Sequence, residues 1–413
     1  MTTRRIAHAR VVFLAALAAQ SVTWPSAASD CTVTSVGFSP LNDLGSGLYL
    51  GQFQGGLYPG GANAAPSAHA AEGRSRALAI QPLDVNGNPA VAGKYVLLSI
   101  GMSNTTQEFC SQPGTLPCNA WTFMGQAAVN PRANNTTLVI ANGALGGQTA
   151  ASWDSPTDPN YDRVRNNVLA PQGLSEAQVQ AVWIKGADAQ PTVHLPNANA
   201  DAYVLEGLSG SVMRAAKTRY PNLKIAFVSS RIYAGYAGYP TPTVSTLNPE
   251  PYSYESGFAM KWLIQAQINQ MGGGPVDPIA GDLNYNTVAP WIAWGPYLWA
   301  DGTTPRNDGL TYTCADIEAD GTHPATGAET KVGALILNFM LNSRFATPWF
   351  RKCELGDMND DGVIDGSDIP IFIDTILNPP AATAAQRCSA DCNDDLSPNL
   401  TDIGFFISRL LGA

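Results

Sequence analysis

The sequence has little positive charge. It contains 23 Lys and Arg residues against 33 Asp and Glu residues, which gives a net charge of -10. Beyond the first ten residues, Lys and Arg form no cluster. Because phosphate backbones are bound by basic surfaces, this composition argues against a nucleic-acid partner. The acidic character suits calcium instead.

Long apolar runs are also scarce. The N-terminus has a short one at residues 11–19, preceded by three arginines and followed by small residues at 26–29. This order is typical of a secretory signal peptide, and the run is too short to span a bilayer. We therefore predict a signal peptide over residues 1–28, a secreted or cell-surface location and no membrane span. An ordinary N-terminal helix is the alternative.

The part of the chain after the predicted signal contains seven cysteines. They lack the repeated short spacings and the histidine partners of a zinc site. In an oxidising compartment we expect disulfides, and Cys110 with Cys118 is the easiest local pair. The other pairings stay open. The odd number leaves at least one thiol unpaired or paired with another chain.

Four continuous apolar runs are typical of buried parallel strands: residues 94–104, 136–147, 179–188 and 223–233. Helical patterns lie between and after them, at residues 173–180, 201–220, 256–270 and 329–342. This alternation predicts a parallel sheet covered by helices on both faces, preceded by loops and short strands over residues 31–90. In such sheets the chemistry lies beyond the carboxyl ends of the strands.

Ser103 directly follows the first of these runs. A serine becomes a useful nucleophile only with a base and an orienting carboxylate. Of the three histidines after the signal, only His323 follows an acid at short spacing, namely Asp320 three residues earlier. Taken alone, such a serine is more often a turn residue and Asp-x-x-His more often a helix cap. Together the three residues predict a hydrolytic Ser-His-Asp triad.

Residues 95–341 resemble the SGNH (GDSL-type) hydrolases. The resemblance lies in GMSN around Ser103, in NGALGGQT at residues 142–149 and in DGTHP around His323. It implies a three-layer α/β/α fold with a mainly parallel, flavodoxin-like sheet, and ester hydrolysis through a serine-acyl intermediate without a cofactor. By this resemblance Ser103 is the nucleophile, His323 the base and Asp320 its orienter, and the backbone N–H of Gly147 donates to the oxyanion.

The third block of the family pattern, Gly-x-Asn-Asp, is not preserved. This chain has KGAD at residues 185–188, and alanine has no donor side chain. Losing one oxyanion donor typically costs about a hundredfold to a thousandfold in rate. Either Lys185 or another group therefore substitutes, or the activity is modest.

Four residues are expected to contact substrate: Asn104, Lys185, Asp188 and His69. A solvated rim residue is the alternative for Lys185, and an incidental loop residue is the alternative for His69. The aromatic stretch at residues 289–302 is either a sugar-stacking wall or core packing, because tryptophan buries a large area wherever it lies.

The C-terminal segment is rich in Asp and Asn and contains the ligand spacing of an EF-hand-type calcium loop twice. In each loop, side-chain ligands occupy positions 1, 3, 5, 9 and 12, and position 7 adds an oxygen. Leu396 replaces the turn glycine of the first loop, which should weaken the second site. The predicted ligands are Asp357, Asn359, Asp361, Val363, Asp365 and Asp368, followed by Asp391, Asn393, Asp395, Ser397, Asn399 and Asp402.

Both loops run into short apolar helices, and the duplication resembles a type I dockerin. The resemblance implies a small all-α module with two Ca²⁺ ions and a cohesin-type partner, or another cell-surface partner. A solvated acidic tail is the alternative. Because a module of this size has little core, we expect calcium to supply much of its folding free energy.

The expected organisation is a signal peptide at 1–28, a hydrolase domain at 29–350 and a dockerin-like domain at 354–413. The predicted function is a secreted serine esterase that cleaves carboxylic esters, including acyl groups on carbohydrates, in polysaccharide catabolism. One alternative is a non-catalytic binding or surface protein with the same fold, motivated by the missing third-block asparagine. Another is a dockerin-bearing glycoside hydrolase, whose chemistry requires two carboxylates flanking a sugar cleft.

Overall fold

The structure is a computed structural model that describes residues 28–111, 116–393, 395 and 397–412. Apart from residue 28, the predicted signal peptide lies outside the described residues, so it stays a prediction. Among the helices of the described residues, none combines the length and the apolar character that a bilayer crossing requires.

A sheet of five parallel strands forms the centre of the larger domain. A short antiparallel hairpin precedes it in the chain. The hairpin strands are β1 (Leu48–Tyr49) and β2 (Phe53–Gln54), and the sheet strands are β3 (Tyr95–Gly101), β4 (Leu138–Ala141), β5 (Val179–Lys185), β6 (Ile225–Val228) and β7 (Trp291–Trp294).

The strands lie in the order β4-β3-β5-β6-β7. Counted within the sheet alone this is 2-1-3-4-5, the flavodoxin-like doubly wound order. Every residue of β3, β5, β6 and β7 is buried, as the continuous apolar runs predict. The expected mainly parallel α/β fold is therefore confirmed.

Helices cover the sheet and make up the C-terminal module. A π-helix spans Val164–Leu169, and short 3-10 turns lie at several connections. The α-helices of the described residues are α1 (Leu41–Leu44), α2 (Ser67–Leu78), α3 (Ser103–Cys110), α4 (Phe123–Val129), α5 (Pro159–Arg163), α6 (Asp201–Arg219), α7 (Tyr252–Met271), α8 (Thr326–Asn342), α9 (Thr347–Phe350), α10 (Asp368–Leu377), α11 (Ala384–Ala390) and α12 (Ile403–Leu410).

Two helix groups pack on the sheet: α6 with α7, and α3 with α4 and α8. The register shows how the second group is held. Trp183 of β5 lies beside Phe227 of β6. Trp183 stacks on Phe109 of α3, and Phe227 contacts Phe339 of α8 edge-on. Large rings on neighbouring strands thus hold α3 and α8 over one face of the sheet.

Some sequence-based expectations differ from the structure. The aromatic stretch at 289–302 contains the fifth strand, β7, which was not predicted. Four residues next to a proline offer too little periodicity to identify a strand. Residues 31–90, expected to form loops and short strands, also contain α2. The helix expected at 173–180 is only a 3-10 turn at Glu176–Gln178, and β5 begins directly after it.

The C-terminal module has a small hydrophobic core of its own. Phe372 of α10 and Phe406 of α12 stack with ring centroids 3.9 Å apart, and Met358 and Ile376 pack around them. The module is also attached to the larger domain by charge. Asp360 of the first calcium-type loop lies 3.5 Å from Arg351 and 3.8 Å from Arg74 of α2.

Three disulfides connect cysteines of the described residues: Cys31–Cys314, Cys110–Cys118 and Cys353–Cys388. The local pair expected from the sequence is among them. The seventh cysteine, Cys392, is a buried free thiol in the C-terminal module. The odd count thus leaves one thiol, Cys392, outside the three disulfides.

The turn that ends β3 requires a glycine. Gly101 has a φ of +152°. A Cβ at this position would lie 2.3 Å from the carbonyl oxygen of Lys185 on β5 and 2.4 Å from Thr105 Oγ1. The backbone of β3 therefore passes against β5 immediately before Ser103.

Gly101→Ala is expected to lower the free energy of unfolding by about 1–3 kcal/mol, because the backbone conformation and the close contact both oppose a side chain. Chemical denaturation measures this change. Gly186→Ala is the matched control, since a Cβ there would meet Ala150 Cβ at 3.6 Å, an ordinary contact. Equal losses in the two variants would contradict the role of Gly101.

Candidate functional site

Ser103 is the first residue of α3, just beyond the carboxyl end of β3. Strands β3 and β5 are neighbours in the sheet although β4 lies between them in sequence. This is the switch point of the strand order, where doubly wound folds bind their ligands. The fold thus places the Ser103 hydroxyl at a position suited to chemistry.

The loop before α8 brings His323 to this serine. Ser103 Oγ lies 2.6 Å from His323 Nε2. On the other side of the ring, His323 Nδ1 is hydrogen-bonded to the carboxylate of Asp320. The three side chains therefore form a continuous chain of hydrogen bonds from a hydroxyl to a carboxylate.

The loop geometry holds Asp320 against His323. The backbone N–H groups of Thr322 and His323 both donate to Asp320 Oδ1 at 2.9 Å. At the base of the loop, Glu318 N donates to the carbonyl oxygen of His323 at 2.8 Å. Asp320 thus uses one oxygen to fix the backbone and the other to orient the imidazole.

The environment keeps Asp320 ionised. Burial alone would raise the pKa of this carboxyl, but the hydrogen bonds from the His323 ring and from the two backbone N–H groups lower it more. The pKa of Asp320 consequently lies well below its ordinary value. A carboxylate that stays charged can stabilise a positive imidazole throughout the neutral range.

Asn104 connects the serine helix to the histidine loop. Its Nδ2 donates to the carbonyl oxygen of Thr322 at 2.9 Å, and its Oδ1 accepts from Arg231 at 3.5 Å. Asn104 is only 1% exposed. The expectation that Asn104 contacts substrate does not fit this position, because its amide is already occupied in holding the loop.

Lys185 lies beneath the site rather than in it. It is 0% exposed, and its Nζ donates to Glu108 Oε1 at 2.5 Å. Burial lowers the pKa of Lys185, and the Glu108 carboxylate partly offsets this effect. The expected contact of Lys185 with substrate, or with an oxyanion, is contradicted by this burial.

His69 contacts β7 rather than the triad, and Asp188 lies in the segment that follows β5. His69 is buried in α2, where its Nε2 is hydrogen-bonded to the carbonyl oxygen of Ile292 at 2.9 Å and its ring stacks on Trp291. Its expected role at a substrate cleft is therefore wrong. Asp188 is half-buried and accepts from the N–H of Ala189 at 2.8 Å. Burial, and then the nearby Asp201, raise the pKa of Asp188.

Gly147 belongs to a turn that lies beside the serine. Leu145 N donates to the carbonyl oxygen of Gly101 at 3.1 Å, and a Cβ on Gly146 would lie 3.8 Å from Ser103 Cβ. Gly147 has a φ of +77° and open space around its Cα. This turn offers backbone N–H groups close to Ser103. An oxyanion role for Gly147 stays a prediction.

The aromatic stretch at 289–302 belongs to the core. Trp291, Trp294 and Trp299 are all buried, and the indole N–H of Trp299 donates to Glu250 at 2.7 Å. These rings are not available as a sugar-stacking wall. Of the two alternatives for this stretch, the structure agrees with core packing.

The sequence did not single out Glu108 and Arg231 as residues that support the site. Glu108 pairs with Lys185 below α3, and Arg231, which follows β6, contacts Asn104. Burial lowers the pKa of Arg231 to about 10. The signal in the sequence was a single charged residue within an apolar segment, which predicts a buried partner. Which residue is that partner depends on the fold.

The two loops of the C-terminal module have the same internal hydrogen bonds. Asp368 accepts from the N–H of Asn359 and of Asp365, at 3.1 and 2.9 Å. In the second loop, Asp402 accepts in the same way from Asn393 and Asn399, at 3.0 and 2.8 Å. Both Asp368 and Asp402 are fully buried. The sequence duplication is therefore a structural duplication.

Calcium fits the chemistry of these loops. Each is lined by carboxylate and amide oxygens, and oxygen ligands are those that Ca²⁺ prefers. Asp357 and Asp368 are buried, and neither accepts a hydrogen bond from a Lys or Arg of the described residues. Among the described residues, no group of three or more His, Cys, Asp or Glu side chains gathers as a metal site. The donor types, rather than such a cluster, indicate the metal.

Residues 355–411 match the Dockerin type I domain family. This match confirms the resemblance that the duplicated loops suggested for the C-terminal segment. The rest of the chain lies outside the matched residues. A comparison with curated proteins found no match in sequence.

Two solved structures align with the larger part of the chain. One is a carbohydrate esterase family 2 enzyme plus carbohydrate binding domain from Corynascus thermopiles (Myceliophthora fergusii), with 15% identity, coverage of 61% of this chain and 67% of that one, and a TM-score of 0.32. The other is described as a GDSL-like lipase from Parabacteroides merdae, with 10% identity, coverage of 63% and 99%, and a TM-score of 0.30. These low values support no conclusion about activity.

The buried ion pair below the site yields a testable prediction. Lys185→Met should lower the free energy of unfolding by about 3–5 kcal/mol, because Glu108 would remain buried without its partner. Replacing both residues, Glu108→Leu with Lys185→Met, should restore most of the loss. Chemical denaturation measures both variants. A Lys185→Met variant as stable as wild type but slow in ester hydrolysis would instead indicate a role at the substrate.

Proposed function

We propose that the protein is a secreted serine esterase of the SGNH type that is attached to a partner through its dockerin module. The observation that carries this proposal is the 2.6 Å contact between Ser103 Oγ and His323 Nε2, with Asp320 on the far side of the ring. The alternatives are a buried core histidine and a helix cap. Neither requires a hydroxyl, an imidazole and a carboxylate to be hydrogen-bonded in sequence.

In the proposed reaction, His323 Nε2 takes the proton of Ser103 as Oγ attacks the ester carbonyl carbon. Collapse of the tetrahedral intermediate breaks the carbon–oxygen bond, and His323 gives the proton to the leaving alcohol. A water molecule, deprotonated by His323, then hydrolyses the acyl-serine. Asp320 holds the proton on Nδ1 and stabilises the imidazolium at each stage.

Backbone groups would stabilise the oxyanion. Ser103 is at the first position of α3, where the helix leaves N–H groups without intrahelical partners. The Gly147 turn would supply a second donor from the opposite side. Because the KGAD segment has no asparagine side chain to add, we expect slower catalysis than in a site with three donors, by about a hundredfold or more.

The substrate class that we propose is an acylated carbohydrate. The dockerin match supports this substrate class, since the resemblance associates such modules with polysaccharide-degrading enzymes. The alternative of a non-catalytic binding protein rests on the missing third-block asparagine. A direct assay of ester hydrolysis separates the two.

Ser103→Ala and His323→Ala should each reduce kcat/KM for a short-chain aryl ester by at least about a thousandfold, because each removes a group required for acyl transfer. His194→Ala is the matched control, since His194 is exposed and its ring is hydrogen-bonded to the carbonyl oxygen of the adjacent Leu195, away from the triad. Circular dichroism checks that the variants are folded. Undiminished hydrolysis by Ser103→Ala would refute the proposed site, and an inactive wild type would favour the binding protein.

We also propose that the module binds two calcium ions. Asp357, Asn359, Asp361, Val363, Asp365 and Asp368 would hold the first ion, and Asp391, Asn393, Asp395, Ser397, Asn399 and Asp402 the second. The ions would neutralise the buried carboxylates and order the loops. Position 396, where leucine replaces glycine, lies outside the described residues, and the expected weaker second site stays a prediction.

Chelation should unfold the module, and calcium titration should refold it in two steps, with the first loop filled at lower calcium concentration. Calorimetric titration of the full chain measures the steps. Asp368→Ala should remove the tighter step and Asp402→Ala the weaker one. Asp374→Ala is the control, since this exposed residue of α10 is not a predicted ligand. Absence of calcium binding to the wild type would contradict the proposal.

The partner of the module is proposed to be a cohesin-type protein. Exposed apolar side chains recur every fourth residue along α10 and α12, so each helix has an unpaired stripe. The two stripes repeat at a spacing of 34 residues, as the calcium loops do. Their members are Ile369, Ile373 and Leu377 on α10, and Ile403, Ile407 and Leu411 at α12.

A further inference from the structure

A second cleft lies between α6, α7 and β2. Its volume is about 310 Å³, and none of Ser103, His323 and Asp320 lines it. Nine residues form its walls, and no Lys, Arg or His is among these described residues. The absence of a basic side chain from the lining excludes recognition of an anionic ligand by charge.

Aromatic rings form one wall of the cleft. Tyr203 and Trp262 stack with centroids 4.9 Å apart and an interplanar angle of 14°, and Phe53 lies 5.9 Å from Trp262. All three side chains are half-buried and line the cleft. The wall is therefore a fixed apolar surface of rings that are not covered by the protein.

Two carboxyl groups line the same cleft. Glu206 is 4% exposed, yet it forms no hydrogen bond with any described residue. Its carboxylate oxygens reach the open cleft, so their hydrogen-bonding capacity is available to a ligand. Asp277 uses Oδ1 to accept from Ile279 N and Ala280 N, at 2.8 and 2.9 Å. Its second oxygen has no such partner among the described residues.

The protonation of Glu206 affects what the cleft can bind. Burial, and then the nearby Asp277, raise the pKa of Glu206 to about 8. The raised pKa favours the neutral acid at neutral pH, and this form can both donate and accept. Together with Asp277 and the amides of Gln265 and Asn269, the cleft offers donors and acceptors of both kinds around the aromatic wall.

We propose that this cleft is a saccharide-binding site that holds a pyranose unit of a neutral polysaccharide. The apolar face of the sugar ring would lie against the aromatic wall, and its hydroxyl groups would pair with Glu206, Asp277 and the two amides. This inference does not depend on the proposed esterase activity, because it concerns binding at a separate position.

Calorimetric titration with xylohexaose and cellohexaose tests the proposal on the full chain, and at least one of them should bind. Glu206→Met should weaken that binding about tenfold, which corresponds to about 1.4 kcal/mol. The same change should leave the melting temperature near the wild-type value, since it breaks no hydrogen bond or ion pair among the described residues. Glu72→Met, on α2 and outside the cleft, is the control and should bind as wild type does.

Glu206→Gln distinguishes a sugar from a cationic ligand. The amide keeps a neutral donor and acceptor, so oligosaccharide affinity should stay near the wild-type value. A site built for an organic ammonium ion would lose affinity with Gln as much as with Met. That result, binding to neither oligosaccharide, or an unchanged affinity in Glu206→Met would overturn the proposal.

Discussion

The hydrogen bond between Ser103 and His323 joins residues that are 220 positions apart in sequence. It depends on three separate features of the fold. The close passage of β3 against β5 at Gly101 sets where α3 begins, the Asp320 carboxylate shapes the histidine loop, and Asn104 connects the helix to that loop. A displacement in any of them would separate a nucleophile from its base, and small displacements are costly in such sites.

Below this contact lies an unusual amount of buried charge for a chain with few charged residues. Lys185 and Glu108 form an ion pair with no exposure to solvent. Burial raises the pKa of Glu108, and the positive charges of Lys185 and then Arg231 offset this only in part. One oxygen of Glu108 has no hydrogen-bond partner among the described residues. Buried pairs of this kind contribute little net stability, but they strongly disfavour any arrangement that separates them. The pair therefore specifies how α3 sits on β5.

The predictable parts of the molecule were those encoded by short-range patterns. Continuous apolar runs identified four of the five sheet strands, and the three-residue spacing of Asp320 and His323 reflects one local loop. The calcium-type loops follow a spacing of twelve residues, so their shared hydrogen bonds were also predictable in kind. For Ser103, the position after a strand indicated the correct edge of the sheet, whereas its catalytic role stays a prediction.

The role of a residue could not be predicted from the sequence where it depends on contacts between distant elements of the fold. Nothing near Lys185 in sequence indicates Glu108, which comes from another element. The sequence therefore suggests a group at the substrate where the structure has a buried ion pair. His69 was misplaced for the same reason, since its partner is a carbonyl group of β7. Strand β7 was not predicted because the aromatic stretch continues past the four residues that pair with β6. The sequence therefore does not show where the strand ends.

The Cys31–Cys314 bond closes a ring of chain that contains the whole central sheet and Ser103. Asp320 and His323 lie just outside the ring, six and nine residues beyond its second cysteine. A protease that cuts one surface loop inside the ring would therefore leave both fragments covalently connected, and the serine would stay on the same molecule as its histidine. Such nicked chains would migrate as one species until a reductant separates them.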